Sequence, residues 1–147
     1  MMNKKGQAAV IFIILIPVFL VLTAIIVDTG INMHNEKKLN NVTNDVMEVL
    51  LDEELINSVT YDNEDEVLDK LKKQAIRIYG ENDIETENLY IDINGGRLSL
   101  SNTHTYYSFM NTLFNKGNGM RQISIDVEGY LNEGEVIVQF KDGRHEG

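Results

Sequence analysis

The stretch from Ala8 to Val27, AAVIFIILIPVFLVLTAIIV, limits what this chain can become more than any other part of it. Thr23 is its only hydrogen-bonding side chain, and it carries no charge. About twenty consecutive apolar residues is the length a helix needs to cross a bilayer. The bilayer core holds no water, so a spanning segment must satisfy its own backbone, and a helix does so. A buried core helix in so small a protein would need a polar face, which this stretch lacks. The sequence therefore predicts a transmembrane helix over 8–27.

The flanks suggest its direction. Lys4 and Lys5 precede the apolar run, whereas Asp28 follows it and the next cluster, Glu36 to Lys38, comes later. Basic residues stay on the cytoplasmic side, so the reading is N-terminus inside and C-terminal domain outside the cytoplasmic membrane. A cleaved secretory signal would have a shorter apolar core and small residues around its cut. Neither Thr23-Ala24-Ile25 nor Val27-Asp28-Thr29 offers that pattern, so retention in the membrane is favoured.

With 147 residues there is room for one span and one small α+β domain. Cysteine is absent, which excludes a disulfide framework and a thiolate metal site. The net charge is −10, and setting aside Lys4 and Lys5 leaves −12 on the rest. Such a domain repels phosphate backbones, so no nucleic-acid partner is expected.

The periodicity along the chain predicts five regions. Residues 1–7 form a short basic leader, 8–27 the span, 28–60 a helix extension, 61–141 an extracytoplasmic α+β domain and 142–147 a disordered tail. Pro17 lies mid-span and predicts a bend. Beyond Thr29-Gly30, residues Leu39, Val42, Val46, Val49 and Leu50 recur at helical steps and form one apolar packing stripe. A helix running from Ala8 to about Leu51 would be roughly 65 Å long.

A second helix is predicted over Glu64–Tyr79. Asn63 would cap it in a capping box with Glu66, Gly80 would stop it, and Val67, Leu71, Ala75 and Ile78 would be buried. After Gly80 the period becomes two. Leu89, Ile91 and Ile93, the turn signal Asn94-Gly95-Gly96, and then Leu98 and Leu100 predict a hairpin. Ile123, Ile125, Val127 and Leu131 predict a third strand with a bulge at Gly129. After a turn at Asn132 to Gly134, Val136, Val138 and Phe140 predict a fourth. The result is a four-stranded antiparallel sheet with one apolar face, for which the long helix's stripe is the natural cover. Thr105 to Gly119 interrupt it as a loop or short helix bearing Tyr106, Tyr107, Phe109 and Phe114.

Gly6-Gln7-Ala8-Ala9-Val10, Pro17, Val27-Asp28-Thr29-Gly30, and then Lys38-Leu39-Asn40-Asn41 with Asp45, resemble the N-terminal region of TadE/TadG-like proteins. These are pilin-like components of the Tad (tight adherence) pilus apparatus. The resemblance covers about the first fifty residues. It implies a pilin-like fold, a type IV-related filament system, and Gly6-Gln7 as the candidate processing site. One position departs. Many pilin-like proteins carry a glutamate five residues after the cleaved glycine, where this chain has Ile11. Isoleucine cannot pair with a neighbouring subunit's amine as a buried carboxylate would. TadG-like members often lack that glutamate, so the departure moves the reading within the family.

No constellation points to catalysis. His34, His104 and His145 are dispersed and show no HExxH-like spacing. The acidic run Asp62, Glu64, Asp65 and Glu66 lacks the calcium-loop glycine and terminal glutamate, and helix capping accounts for it; Asp52, Glu53 and Glu54 read as a solvated helix end. The serines lack a nucleophile elbow, and the glycine pairs lack a phosphate-loop setting. The expectation is therefore a non-enzymatic protein without cofactor, metal or small-molecule substrate. Its partners would be other pilin-like subunits, the pilus assembly machinery and the membrane. The aromatic group Tyr106, Tyr107, Phe109 and Phe114 is the candidate contact loop, since aromatics dominate interface energetics. The alternative reading is a monomeric, membrane-anchored sensing domain that uses this loop for a ligand.

Overall fold

The computed structural model describes residues 4–52, 58 and 63–141. Residues 53–57, with the acidic Glu53 and Glu54, Asp62 of the acidic run, and the tail 142–147 with His145 lie outside the described residues. The elements are helix α1 (Lys4–Leu50), helix α2 (Glu64–Glu81), strands β1 (Tyr90–Asn94) and β2 (Arg97–Tyr107), a short helix α3 (Phe109–Leu113), a 3-10 turn (Gly117–Gly119), and strands β3 (Met120–Asn132) and β4 (Glu135–Phe140). The architecture is α+β, with one four-stranded antiparallel sheet in the order β1-β2-β3-β4. The chain divides into two compact units, residues 1–35 with 107–121, and residues 36–106 with 122–147.

The second unit holds the hydrophobic core. Leu39, Val42, Val46, Met47 and Leu50 of α1 are buried with Leu51, Val67, Leu71, Ala75 and Tyr79, and with Leu98, Leu100, Ile125 and Val127 of the sheet. Burying each large aliphatic side chain contributes about 1.5–3 kcal/mol. The sheet's apolar face is thus covered by the C-terminal part of α1 and by α2. The stripe differs from its sequence reading at one position. Val49 is 44% exposed, because it lies at the margin of the arc centred on Leu39, Val46 and Leu50, while Met47 takes a place on the other margin. Thr43, polar but fully buried, shares a 2.8 Å hydrogen bond with the Tyr79 hydroxyl and so ties α1 to α2 inside the core.

Helix α1 continues through Pro17 and Gly30 as one helix. Helix α2 departs from the sequence reading at both ends. Gly80 lies inside the helix, which ends at Glu81. The capping box is not formed: Asn63 makes no side-chain cap bond and donates instead to the Ser58 carbonyl, while Glu66 pairs with Lys70 at 2.7 Å. A glutamate four residues before a lysine is the favoured order on an exposed helix face, and that pairing holds the Glu66 carboxylate. The buried face closes with Tyr79, and Ile78 is only partly buried.

Both hairpins turn through two residues with positive φ. Gly95 and Gly96 join β1 to β2 between the pair Asn94 and Arg97. Glu133 and Gly134 join β3 to β4 between Asn132 and Glu135. These are the conformations whose twist suits adjoining strands. Gly129 is not a bulge. It pairs in register with Val138, and a side chain there would run into Met47 Cε and Leu51 Cδ1. The glycine leaves the room into which the Met47 and Leu51 side chains pack against the strand. Phe140 differs from Val136 and Val138 in being exposed.

The inner face of β2 becomes polar toward its C-terminal half. Asn102 donates to the Glu85 carbonyl at 2.9 Å, and His104 Nδ1 lies 2.7 Å from the Glu85 carboxylate. Both side chains are buried. Burial acts to raise the Glu85 carboxyl, but hydrogen bonds from its own backbone amide, from His104 and from the Thr105 amide together hold it below the usual glutamate value. On the outer face, Arg97 of β2 reaches Glu128 of β3 at 2.7 Å and lies 4.9 Å from the Tyr130 ring centroid, while Lys141 meets the same glutamate at 3.1 Å.

Candidate interaction surface

The first unit is built on the apolar half of α1. Between residues 8 and 27 every side chain is exposed except Ala24. Phe12, Ile13, Phe19, Leu20 and Ile26 all point away from protein. A helix that is hydrophobic around nearly its whole circumference is a membrane span or the core of a larger assembly. Its few polar groups are satisfied within the helix: Thr23 donates to the Phe19 carbonyl and Thr29 to that of Ile25, each at 2.8 Å.

Ala24 and Asp28, one turn apart on α1, are the buried residues of its first thirty described positions. Asp28 accepts from the Ser108 hydroxyl at 2.9 Å and from the Phe109 amide at 2.7 Å, with a longer approach from the Met110 amide at 3.4 Å. A buried carboxylate is costly unless its lone pairs are met, and charge-assisted bonds from a hydroxyl and amides meet them. Ser108 serves twice. Its hydroxyl gives its single proton to Asp28 and accepts the Asn111 amide at 3.1 Å, capping α3.

The segment is folded on itself as well. The Ser108 amide bonds to the Gly119 carbonyl at 2.9 Å, Asn111 Nδ2 to the Met120 carbonyl at 2.7 Å, and Thr112 Oγ1 to the Ser108 carbonyl at 3.0 Å. Gly119, with φ +79, fits against Thr112 where a side chain would collide. The outcome is a compact excursion whose apolar side chains face outward. Tyr107, Phe109, Leu113, Phe114 and Met120 are each between 44% and 55% exposed.

The structure separates the four aromatics of the sequence reading. Tyr106 is buried on the inner face of β2 and is no part of an exposed surface, because the strand's alternation turns it opposite to Tyr107. Tyr107, Phe109 and Phe114 are all exposed on the excursion, as are Leu113 and Met120. Gly6 at the candidate processing site is exposed on α1. His34 is exposed on the same helix, and no group of three or more metal-ligating side chains occurs among the described residues.

Asp28, in the Asp-x-Gly motif of the sequence, is therefore the residue that joins the apolar run of α1 to the excursion.

Residues 6–47 match the family model described as TadE-like protein.

The resemblance read from the N-terminal residues is shown over that segment. The TadE-like segment ends at Met47 within α1, so it takes in the apolar run, Asp28 and most of the packing stripe. Neither a curated protein nor a solved structure matches the chain. Sequence reasoning missed the partner of Asp28. The signal available was local: a serine directly before Phe109-Met110, with a polar residue three places on, is an N-cap pattern whose donor proton is left to find an acceptor.

Proposed function

We propose that this chain is a structural, single-pass, pilin-like membrane protein, acting as a subunit or assembly factor of a Tad-like surface pilus. The observation that carries this reading is the TadE-like segment lying on one continuous helix whose apolar half is exposed around almost its whole surface. An α-helix of that kind finds partners by packing against other helices in lipid. The working mechanism is lateral association of spans, with the acidic domain presented outside the cytoplasmic membrane, and it involves no bond chemistry. Its partners are other pilin-like subunits and the assembly machinery.

The absence of cysteine makes the test simple. Ile14→Cys and Ile26→Cys place single thiols on exposed span positions. Labelled with a thiol-reactive benzophenone, whose photoactivated carbonyl inserts into C–H bonds of whatever lies beside it, and irradiated in membranes of cells that make the pilus, these thiols should yield adducts with pilin-like proteins or with the assembly machinery. Recovery of the full chain from the soluble fraction, or span thiols that never form such adducts, overturns the reading. Val42 and Val46 are unsuitable probes, since both are buried and their replacement reports on folding. Val49 is exposed and usable.

A further inference from the structure

We propose that residues 107–121 form a foot that rests in the headgroup region of an anionic membrane beside the span. Three observations carry it. The first is position: Asp28 directly follows Val27, the last residue of the apolar run, and it binds the Ser108 hydroxyl and Phe109 amide. The excursion is thereby pinned to the helix at the level where the helix leaves its apolar stretch. The second is chemistry: Tyr107, Phe109, Leu113, Phe114 and Met120 are exposed together on one short compact segment. Tyrosine concentrates at the membrane–water boundary, where ring and hydroxyl meet matching surroundings, and phenylalanine and leucine beside it bury into the headgroup–acyl boundary.

The third is charge. The chain as a whole carries −10, yet residues 107–121 contain Lys116 and Arg121 and no acidic residue. A basic, aromatic patch in an acidic protein complements a negatively charged lipid surface, toward which long basic side chains extend while their stems cover apolar groups. The buried Asp28 carboxylate, held by Ser108 and Phe109, offsets at most one of these two positive charges, so the patch keeps a positive balance. An apolar patch pinned at this level has lipid as its nearest large apolar neighbour. This inference rests on the membrane span and adds a second, peripheral attachment to it.

The chain has no tryptophan, so a single introduced one reports without background. Full-length Leu20→Trp and Phe114→Trp proteins would be reconstituted in phosphatidylcholine vesicles with and without phosphatidylglycerol. Quenching would be read with lipids brominated near the headgroup for Phe114→Trp, and near the chain centre for Leu20→Trp. The expected result is loss of intensity in both, with a blue-shifted Phe114→Trp emission. The Phe114→Trp quenching should deepen with phosphatidylglycerol and lose that dependence when Lys116→Glu and Arg121→Glu are added. If Leu20→Trp is quenched but Phe114→Trp is not, the foot is overturned while the span stands. In that case red-shifted emission means the aromatics face water, and blue-shifted emission means they face protein, a second copy included. Quenching unaffected by phosphatidylglycerol overturns the anionic component. An unquenched Leu20→Trp overturns span and foot together.

Discussion

Asp28 accepts the backbone amide of Phe109 at 2.7 Å across 81 positions of sequence, and this bond sets where the aromatic excursion begins. The same carboxylate takes the Ser108 proton, so one side chain satisfies the groups that open α3. Replacing it by alanine leaves the hydroxyl and amide donors buried without their acceptor. Asp28→Ala should destabilise the local fold by about 1–3 kcal/mol. Hydrogen exchange in detergent or vesicles should show faster exchange at Phe109, Met110 and Asn111. Asp28→Asn should do the same to a smaller degree, because one oxygen remains to accept while the new NH2 confronts a donor. Unchanged exchange at these amides in Asp28→Ala would disprove the role.

Gly129 sets a second tight relationship, between β3 and the helix. A methyl group added there meets Met47 Cε, and it also lies 2.7 Å from Leu51 Cδ1. Both neighbours are ends of flexible side chains, so they can give way at a cost. Gly129→Ala should lower stability by about 1–3 kcal/mol, the range for overpacking a filled core. Met47→Ala alone should also destabilise, by leaving space beside the glycine. The double variant Met47→Ala with Gly129→Ala should be less destabilised than the sum of the two, measured by denaturant unfolding of the full chain in detergent. Strict additivity would mean that the two residues do not share the space.

Much of this was legible because it follows from local rules. The apolar run of 8–27, the helical recurrence of Leu39, Val42, Val46 and Leu50, and the alternation of Leu98 and Leu100 each reflect one periodicity acting alone. Asn94-Gly95-Gly96 announces a turn because the required positive φ values suit glycine. What escaped depends on contacts between distant residues. Gly129 reads as a bulge until Met47 is seen pressing on it. Asn63 reads as a cap until Glu66 is found with Lys70. Tyr106 and Tyr107 are alike in sequence, and only the strand's orientation buries one and exposes the other. Asp28 looks like a flanking charge, and nothing near it in sequence reveals Ser108.

Tyr79 makes an alkaline prediction. Burial pushes its hydroxyl up to about 12, only partly countered by the bond to Thr43. In the unfolded chain a tyrosine titrates near 10. Between those values the folded protein holds a proton that the unfolded one releases, so raising the pH favours unfolding. The stability linked to this proton is fully present below pH about 10 and is lost as the pH rises toward 12. Tyr79→Phe should flatten that alkaline limb while lowering stability at neutral pH by about 0.5–1.5 kcal/mol through the missing hydrogen bond. Thermal unfolding monitored by circular dichroism across this range checks both effects, and an unchanged alkaline limb in Tyr79→Phe would count against the assignment.

Glu85 makes the opposite prediction on the acid side. Burial alone would raise its carboxyl, yet its own amide, His104 at 2.7 Å and the Thr105 amide hold it below the usual value. The unfolded chain therefore binds a proton at Glu85 more readily than the folded one does. The stability contributed by this cluster is present above the ordinary glutamate pKa and is lost as the pH falls through the lower folded value. Glu85→Gln cannot titrate, so the difference in stability between it and the unaltered chain should be greatest near neutrality and shrink in acid. The bond from Asn102 to the Glu85 carbonyl survives that change and keeps the loop in place. Glu66 and Glu128 are also held low, by Lys70 and by Arg97 with Lys141, and they bend the acid limb of both proteins alike. The comparison therefore isolates Glu85: a difference that stays constant from neutral pH into acid would show that its carboxylate is not held by His104 in solution.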